Sequence, residues 1–204
     1  MSELNMWEYE QECFDAGMKL VCGVDEAGRG PLAGPVCAAA VILPENIDIP
    51  GLNDSKKLTD KRRRELFPVI KDLAVAYSIV MVHEKEIDSI NILQATFQAM
   101  SQAVAQLTVT PDIVLIDGNR APELNVPAKT IVKGDSLSAS IAAASVLAKV
   151  SRDDYMLEMA KQYPQYAFEV HKGYGTKAHY AALKQFGPCP IHRMTFLKKL
   201  YGTE

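Results

Sequence analysis

The sequence predicts an α/β domain in which helices cover a mixed sheet. Two observations lead to this expectation. Apolar runs without polar alternation, such as 36–43, are typical of strands that are buried on both faces. Segments of strand character also alternate along the chain with segments whose apolar residues recur at helical spacing. With 204 residues, 48% of them hydrophobic, the chain is long enough for one domain with a sizeable core.

Five strands are expected, because five segments are rich in apolar or β-branched residues and end at turn-forming ones. The first two are short apolar runs, and the third alternates large apolar residues with smaller ones. The fourth is an apolar run that ends in an aspartate. The expected strands are 19–25, 35–43, 74–82, 112–117 and 128–132.

The first two expected helices are short. One lies within 3–16, a segment of mixed polar and apolar residues. The other begins after a cap at Ser55 or Thr59, since hydroxyl side chains accept hydrogen bonds from the first turn of a helix. It is expected to end near Phe67, because Pro68 cannot donate the hydrogen bond that would continue it.

Two further helices are expected to be long. In 84–107, apolar residues recur at three- and four-residue steps, which is the pattern of a helix with one buried face. The other runs from Ser136 to about Gln162 and begins with a stretch of alanine and serine. Small side chains of this kind allow the helix backbone to pack closely against its neighbours.

Composition indicates where the protein works. The N-terminus has no basic region followed by an apolar core, and no apolar run approaches membrane-spanning length. The cysteines form no CxxC pair, so we interpret them as free thiols in a reducing compartment. We therefore expect a soluble, cytoplasmic, monomeric protein without a membrane partner. The cysteines are Cys13, Cys22, Cys37 and Cys189.

Positive charge is clustered although the net charge is −3. One cluster combines Lys56 and Lys57 with the basic run 61–64, and the other occupies 170–204, where Glu204 is the only acid. Basic clusters on an acidic chain are typical of a site for a polyanion such as nucleic acid. They also occur on solvated helix surfaces, and the composition leaves both interpretations open.

Carboxylates follow three of the expected strands. Asp25 and Glu26 end the first strand, Asp117 ends the fourth, and Asp135 lies between the fifth strand and a helix. Sites in open α/β sheets lie beyond strand ends, so these side chains are expected to converge. An all-oxygen ligand set suits Mg²⁺ or Mn²⁺ rather than zinc. The pattern therefore favours two-metal phosphodiester hydrolysis, although acidic turns without metal are common.

Two other functions fit the sequence less well than hydrolysis. The turn at 28–30 resembles the start of a phosphate loop of a nucleotide-dependent transferase, but Pro31 intervenes and Gly34 falls one residue late for a dinucleotide fingerprint. No GxxxxGK[ST] motif occurs. A nucleic-acid-binding module without catalysis is disfavoured because unneutralised carboxylates would repel phosphates.

Six motifs resemble the bacterial ribonuclease HII family. They are GVDEAGRGP at 23–31, LNDSKKL at 52–58, IDGN at 116–119, KGD at 133–135, AASVLAKVSRD at 143–153 and HKGYGT at 171–176. The resemblance implies a ribonuclease H-like fold with a mixed five-stranded sheet and a helical C-terminal part. It implies a single catalytic domain over 1–204, whose basic part from about 170 binds substrate.

The family resemblance also implies an activity. We expect Mg²⁺- or Mn²⁺-dependent cleavage of the RNA strand in RNA–DNA hybrids. We also expect cleavage 5′ of single ribonucleotides embedded in duplex DNA. Both reactions would leave 3′-hydroxyl and 5′-phosphate ends.

Carried over residue by residue, the resemblance assigns a role to each matching position. The metal ligands are Asp25, Glu26, Asp117 and Asp135. A turn sensing the 2′-hydroxyl is formed by Gly28, Arg29 and Gly30, and Tyr174 packs on the sugar of the next deoxynucleotide. Other expected substrate contacts are Ser55, Lys56, Lys57, Lys172 and Arg193.

Three of the nearby residues have alternative interpretations. Arg193, in the basic tail, is as consistent with packing as with a phosphate contact. His171 either faces the site or is structural. Asp153 is read as an ion-pair partner and is left out of the ligand set.

Overall fold

A mixed sheet of five strands forms the centre of the molecule. The computed structural model describes residues 5–45, 47–52 and 58–202. The strand order is β3-β2-β1-β4-β5, with β1, β2 and β3 antiparallel and β4 and β5 parallel to β1. All five strands expected from the sequence are present. They are β1 (Val21–Ala27), β2 (Val36–Ile42), β3 (Ala76–Val82), β4 (Ile113–Asp117) and β5 (Ala128–Ile131).

Helices cover both faces of this sheet, which explains why the central strands lack polar alternation. Every residue of β2 is fully buried. Because side chains alternate between faces, Ala38 and Ala40 contribute to one core cluster and Cys37 and Ala39 to another. The first cluster contains α3 (Glu84–Ala105), and the second contains α2 (Asp60–Leu73) and α4 (Ala139–Gln162).

Close packing of α4 on β1 depends on small residues. A Cβ atom added to Gly23 would lie 2.1 Å from the carbonyl carbon of Ser140, so glycine is required for this approach. The helix begins three residues later than expected, after a 3₁₀ turn at Gly134–Ser136. Ser138 caps it by accepting a hydrogen bond from the Ile141 amide at 3.2 Å.

A buried carboxylate from the first helix completes that cap. Glu10 lies in α1 (Glu8–Asp15) and is fully buried. Its Oε1 accepts hydrogen bonds from the Ser138 hydroxyl at 2.6 Å and the Ser140 amide at 2.9 Å. The N-terminal segment therefore fixes the start of the helix that adjoins Asp135.

Two helices depart from the sequence expectation. The helix predicted to stop before Pro68 continues to Leu73, because Leu66 and Ile70 pack in the core on either side of the proline. The helix predicted as continuous over 84–107 breaks at Asn91, whose φ of +68° is not helical. The Asn91 side-chain oxygen accepts a hydrogen bond from the Leu93 amide at 3.0 Å and so caps the second half.

The C-terminal part is helical, as expected. It consists of α5 (Phe168–His171), α6 (Lys177–Phe186) and α7 (Lys198–Tyr201), with 3₁₀ turns before α5 at Pro164–Tyr166 and before α7 at Met194–Phe196. Buried residues such as Phe168, Leu183 and Leu197 form a separate core cluster with the end of α4. Within the described ranges, none of the helices combines the length and the apolar character needed to cross a membrane.

The C-terminal part is hydrogen-bonded to the loop between β1 and β2. The Leu32 amide donates to the Gly173 carbonyl at 2.8 Å, and the Gly34 amide donates to the Ile191 carbonyl at 2.9 Å. Ala33 and His192 form an antiparallel bridge. The loop that follows the acidic pair is therefore anchored to residues about 140 to 160 positions later in the chain.

Candidate active site

Three aspartates lie close together at the edge of the sheet where the parallel strands β1, β4 and β5 end. Asp25 lies near the end of β1, Asp117 ends β4, and Asp135 lies in the 3₁₀ turn that follows β5. Each offers a carboxylate oxygen within 4.8 Å of the others. Asp25 and Asp135 are 3% exposed, whereas Asp117 is partly exposed. This carboxylate cluster is therefore accessible to solvent on the side of Asp117.

The electrostatics of Asp25 fit a divalent cation. Burial, together with the charges of Glu26 and Asp117, raises the pKa of Asp25 well above its ordinary value. Hydrogen bonds from the Ser145 side chain and the Glu26 amide, the latter at 2.7 Å, act in the opposite direction. Because clustered buried carboxylates repel one another, a hard cation bound between them would relieve the repulsion.

Backbone hydrogen bonds orient a second member of the cluster. The Asp117 Oδ1 atom accepts a hydrogen bond from the Gly134 amide at 2.7 Å, which ties the end of β4 to the turn carrying Asp135. A Cβ atom at Gly134 would lie 2.6 Å from the Ile141 side chain. The glycine before Asp135 therefore lets that turn lie close against α4.

Glu26, the fourth expected ligand, approaches from the other face of the sheet. Adjacent residues of a strand point to opposite faces, and the partner of Glu26 in β2, Ala38, belongs to the α3 cluster. The Glu26 side chain lies 3.3 Å from the Arg29 guanidinium. Together with Asp117 it lines a cavity of about 380 Å³ beneath α3. Glu26 is therefore outside the three-aspartate set but shares a cavity with one of its members.

The cavity beside the cluster also carries basic and polar groups. Arg29, Asn119, Arg120 and Thr96 contribute to its walls. Positive groups next to a carboxylate cluster are suited to hold a phosphate close to bound metal. Arg120 follows the IDGN motif directly, but sequence reasoning did not select it.

Two fully buried arginines hold the glycine turn (residues 28–30). Gly28 has a φ of +94°, and a Cβ atom there would lie 2.0 Å from the Arg152 Nε atom. Arg152 donates to the carbonyls of Ala33 and Pro35 at 3.1 and 3.0 Å. Arg193 donates to the carbonyls of Gly28 and Arg29 at 2.6 and 2.9 Å. These hydrogen bonds thus fix the conformation of the turn from the interior of the protein.

The position of Arg193 decides between its two interpretations. The residue is 0% exposed, and burial, followed by the charge of Arg152, lowers its pKa to about 9. A guanidinium in the interior, bonded to backbone carbonyls, does not face a phosphate. The structure therefore supports packing, and the expected substrate contact by the Arg193 side chain does not match its burial.

Tyr174 stands next to the glycine turn. It is 43% exposed, and its Cε1 atom lies 3.9 Å from the position of a Cβ atom on Gly30. The Lys149 ammonium lies 6.0 Å from the ring centroid and the Arg152 guanidinium 5.8 Å. An exposed aromatic ring with cations behind it is a suitable surface for a sugar flanked by phosphates.

The remaining expected site residues differ in what the structure says of them. Lys172 is partly buried, and its ammonium donates to the Glu169 carbonyl. Ser55, Lys56 and Lys57 lie outside the described residues. His171 is buried and hydrogen-bonded to the Tyr166 carbonyl at 2.8 Å, which agrees with a structural role. Asp153 accepts from Lys149 at 2.7 Å, so it is an ion-pair partner.

Two supporting residues were missed although the sequence contains a signal for them. Ser145 and Arg152 both lie in the 143–153 motif, seven residues apart. On a helix this spacing places them on the same face. Ser145 hydrogen-bonds Asp25 and Arg152 packs against Gly28, so one face of α4 supports both the carboxylates and the glycine turn.

A carboxylate cluster suited to a hard cation, beside a cavity with basic groups, is the kind of site that metal-dependent nucleases use. Residues 22–199 match the Ribonuclease HII family model. A Ribonuclease HII from Endomicrobium trichonymphae is 58% identical over 193 residues, which are 94% of this chain and 92% of that protein. The chain belongs to the ribonuclease HII family, whose members are metal-dependent endonucleases with ribonuclease H activity on RNA–DNA.

Further similarities agree with this assignment. A Ribonuclease HII from Acetivibrio thermocellus is 56% identical over 195 residues, 96% of this chain and 76% of that protein. Among solved structures, ribonuclease H2 from Pyrococcus horikoshii OT3 superimposes with a TM-score of 0.72. It is 28% identical, and the match covers 86% of this chain and 92% of that one.

Proposed function

We propose that this enzyme cuts the RNA strand of RNA–DNA hybrids and also cuts 5′ of single ribonucleotides embedded in duplex DNA. The products would be 3′-hydroxyl and 5′-phosphate ends. The observation that supports this proposal is the juxtaposition of the carboxylate cluster, the glycine turn and Tyr174. Asp25 precedes the turn by three residues, and the Tyr174 ring lies against Gly30.

The carboxylates are the proposed metal ligands. Asp25, Asp117 and Asp135 would hold Mg²⁺ or Mn²⁺, with Glu26 as a fourth carboxylate from the neighbouring cavity. Two bound cations would supply Lewis acids that activate the attacking water and stabilise the leaving 3′-oxygen. The protein's own contribution is to hold these oxygens in place through Ser145 and the Gly134 amide.

Discrimination between ribose and deoxyribose is assigned to two neighbouring elements. Only the 2′-hydroxyl distinguishes RNA from DNA locally, so the protein group that recognises it must approach the sugar closely. Backbone groups of the glycine turn can do so, because glycine leaves room for the sugar. Tyr174 would pack on the following deoxyribose, where an additional hydroxyl would clash. The two elements together would select an RNA-to-DNA junction.

The duplex would be held through its phosphates. Lys149 lies beside Tyr174, and Arg120 lines the cavity beside the cluster. Phosphate contacts position a duplex without reading its sequence. We propose that Lys172, Ser55, Lys56 and Lys57 add further contacts of this kind, and that the basic part from about residue 170 forms one side of the binding surface.

The test is cleavage of end-labelled duplexes that contain no, one or several ribonucleotides, in Mg²⁺, Mn²⁺ or chelator. We expect metal-dependent cuts only in the ribonucleotide-containing strands, 5′ of the ribonucleotide in the single-ribonucleotide duplex. Asp25→Asn should abolish cleavage but leave duplex binding largely intact. Asp72→Asn, at an exposed position on α2, is the matched control and should retain full activity. Full activity of Asp25→Asn would refute the assignment of the site.

A further inference from the structure

We propose that the segment 189–193, called the brace below, fixes the spacing between the glycine turn and Tyr174. His192 and Arg193 are then positioning residues for the recognition of RNA-to-DNA junctions. The inference rests on the function proposed above and extends it to residues that do not touch substrate. Both side chains are buried, His192 at 3% and Arg193 at 0% exposure. Each connects the brace to a different recognition element.

Arg193 connects the brace to the glycine turn. Its three guanidinium nitrogens donate to the carbonyls of Gly28, Arg29 and Gly34 at 2.6, 2.9 and 2.9 Å. The donors of a guanidinium lie in one plane at fixed angles. Three carbonyls bonded to one such group cannot reorient independently. The turn therefore moves only together with Arg193.

His192 connects the brace to Tyr174 through a second histidine. The Nε2 atoms of His192 and His179 are 2.9 Å apart, and His179 Nδ1 lies 3.0 Å from the Tyr174 carbonyl oxygen. At the other end, the Cys189 amide donates to His192 Nδ1 at 2.9 Å. The contacts thus form a continuous chain from the brace backbone to the Tyr174 backbone.

One arrangement of protons satisfies the three contacts named above. The Tyr174 carbonyl can only accept, so His179 carries its proton on Nδ1 and accepts at Nε2. His192 then donates from Nε2 and accepts at Nδ1 from the Cys189 amide. Both rings are neutral in this arrangement, and burial lowers the pKa of each to about 4. This series of hydrogen bonds from Cys189 to Tyr174 is therefore intact at neutral pH.

The two connections start from adjacent residues of an extended segment. Arg193 has φ −86° and ψ 100°, and successive side chains of extended backbone point in opposite directions. His192 thus points toward Tyr174 and Arg193 toward the glycine turn. The backbone between them is itself anchored, because the Arg193 amide donates to the Leu32 carbonyl at 2.9 Å. Separation of the two elements would break one of these connections.

A fixed spacing matters more for some substrates than for others. A junction presents a ribose and a deoxyribose on adjacent nucleotides, so both elements must engage at one sugar-to-sugar distance. A continuous hybrid requires only that a 2′-hydroxyl be sensed. A loosened brace should therefore reduce the preference for junctions while leaving the carboxylate chemistry in place.

Two substitutions of His192 separate its two hydrogen bonds. The Gln amide nitrogen can replace Nε2 and still donate to His179. The Asn carbonyl can replace Nδ1 and accept from Cys189, but it does not reach His179. Leu197→Ala is the stability control. This 1% exposed residue lies in the core cluster that also contains Ile191 of the brace, and its side chain makes no hydrogen bond.

The first measurement is kcat/KM on a single-ribonucleotide duplex divided by kcat/KM on a continuous hybrid. We expect His192→Asn to lower this ratio by about three- to tenfold, the usual effect of one hydrogen bond. We expect His192→Gln and Leu197→Ala to keep the wild-type ratio. Equal ratios for the Asn and Gln variants, or the same loss in Leu197→Ala, would overturn the proposal.

The second measurement needs no substrate. The Leu32–Gly173 hydrogen bond joins the two segments directly, so the effect of the brace is measured as a difference between variants. Amide hydrogen exchange of metal-free His192→Asn and His192→Gln is followed in peptides covering 28–34 and 172–180 at low denaturant concentrations. If the brace links them, His192→Asn speeds exchange in 172–180 relative to 28–34 and His192→Gln does not; the same relative exchange in both variants overturns the brace. Failure of the wild type to cut embedded ribonucleotides would instead refute the proposed function, while exchange still decides on the brace.

Discussion

Replacement of Gly23 by alanine should damage stability and catalysis together, although the residue touches no substrate. The added Cβ would lie 2.1, 2.3 and 2.4 Å from three backbone atoms of Ser140 and Ile141. Ordinary contacts begin at 3.4 Å, so β1 and α4 must separate by about 1.3 Å. Backbone atoms have no alternative rotamer that could relieve the clash.

The size of both effects follows from this displacement. Overpacking of a core typically costs about 1–3 kcal/mol, and a clash with backbone should reach the upper limit. For a chain of this size, about 3 kcal/mol lowers Tm by roughly 6–12 °C. The shift also moves Asp25 on β1 away from Ser145 on α4. Because a misplacement of about 1 Å can cost roughly 100-fold in rate, we expect a loss of that order in kcat.

Two assays and one control separate these effects. Chemical denaturation in chelator gives the free energy of unfolding, and Mg²⁺-dependent cleavage gives kcat at a temperature where the variant is folded. Val24→Ala is the control, because Val24 faces the α3 cluster and its truncation leaves the contact with α4 unchanged. It should destabilise the protein but change kcat by less than about threefold. The reasoning is refuted if Gly23→Ala loses no more activity than Val24→Ala.

Three further predictions concern the site. Asp25→Asn should stabilise the metal-free protein at neutral pH, because the raised pKa of Asp25 means that its ionised form is unfavourable in the folded state. The contribution of Asp25 to stability decreases as pH rises through that pKa, so the gain from the substitution should shrink in acid. Thermal unfolding at several pH values would show this. Tyr174→Ala should reduce junction cleavage more than hybrid cleavage, whereas Tyr174→Phe should not; equal losses on the two substrates would contradict sugar packing. Gly28→Ala should abolish selective cleavage in the same assay, because its φ of +94° and its contact with Arg152 exclude a side chain, and wild-type selectivity would contradict this.

Local patterns predicted most of the fold because they report local physics. Apolar runs identified the five strands, and helical spacing identified the long helices. The errors arose where tertiary contacts override local preference. Pro68 remains inside α2 because burial of Leu66 and Ile70 outweighs one missing hydrogen bond. Asn91 breaks α3 although apolar residues recur at helical spacing on either side of it, so the spacing alone does not reveal the break.

The candidate site was predicted unevenly for a related reason. Convergence of Asp25, Asp117 and Asp135 follows from topology, because parallel strands end at the same edge. To predict the position of Glu26, a further step is needed. Asp25 points to one face of β1, so its neighbour Glu26 points to the other. The burial of Arg193 could not be read from a basic tail, because charge clustering does not say which members face solvent.

The two buried arginines order the glycine turn without pairing with the carboxylates of the site. Their donors are satisfied by backbone carbonyls, such as those of Gly28 and Pro35, so neither requires a carboxylate as a hydrogen-bonded partner. Among the acidic groups that raise the pKa of Arg193, Glu84 has the largest effect, and burial raises the pKa of Glu84 itself. Arginine bonded in this way can order the glycine turn without competing for the metal ligands. A lysine at either position would offer three donors on one rotating ammonium group instead of a planar fork, and so would not hold several carbonyls in one fixed geometry.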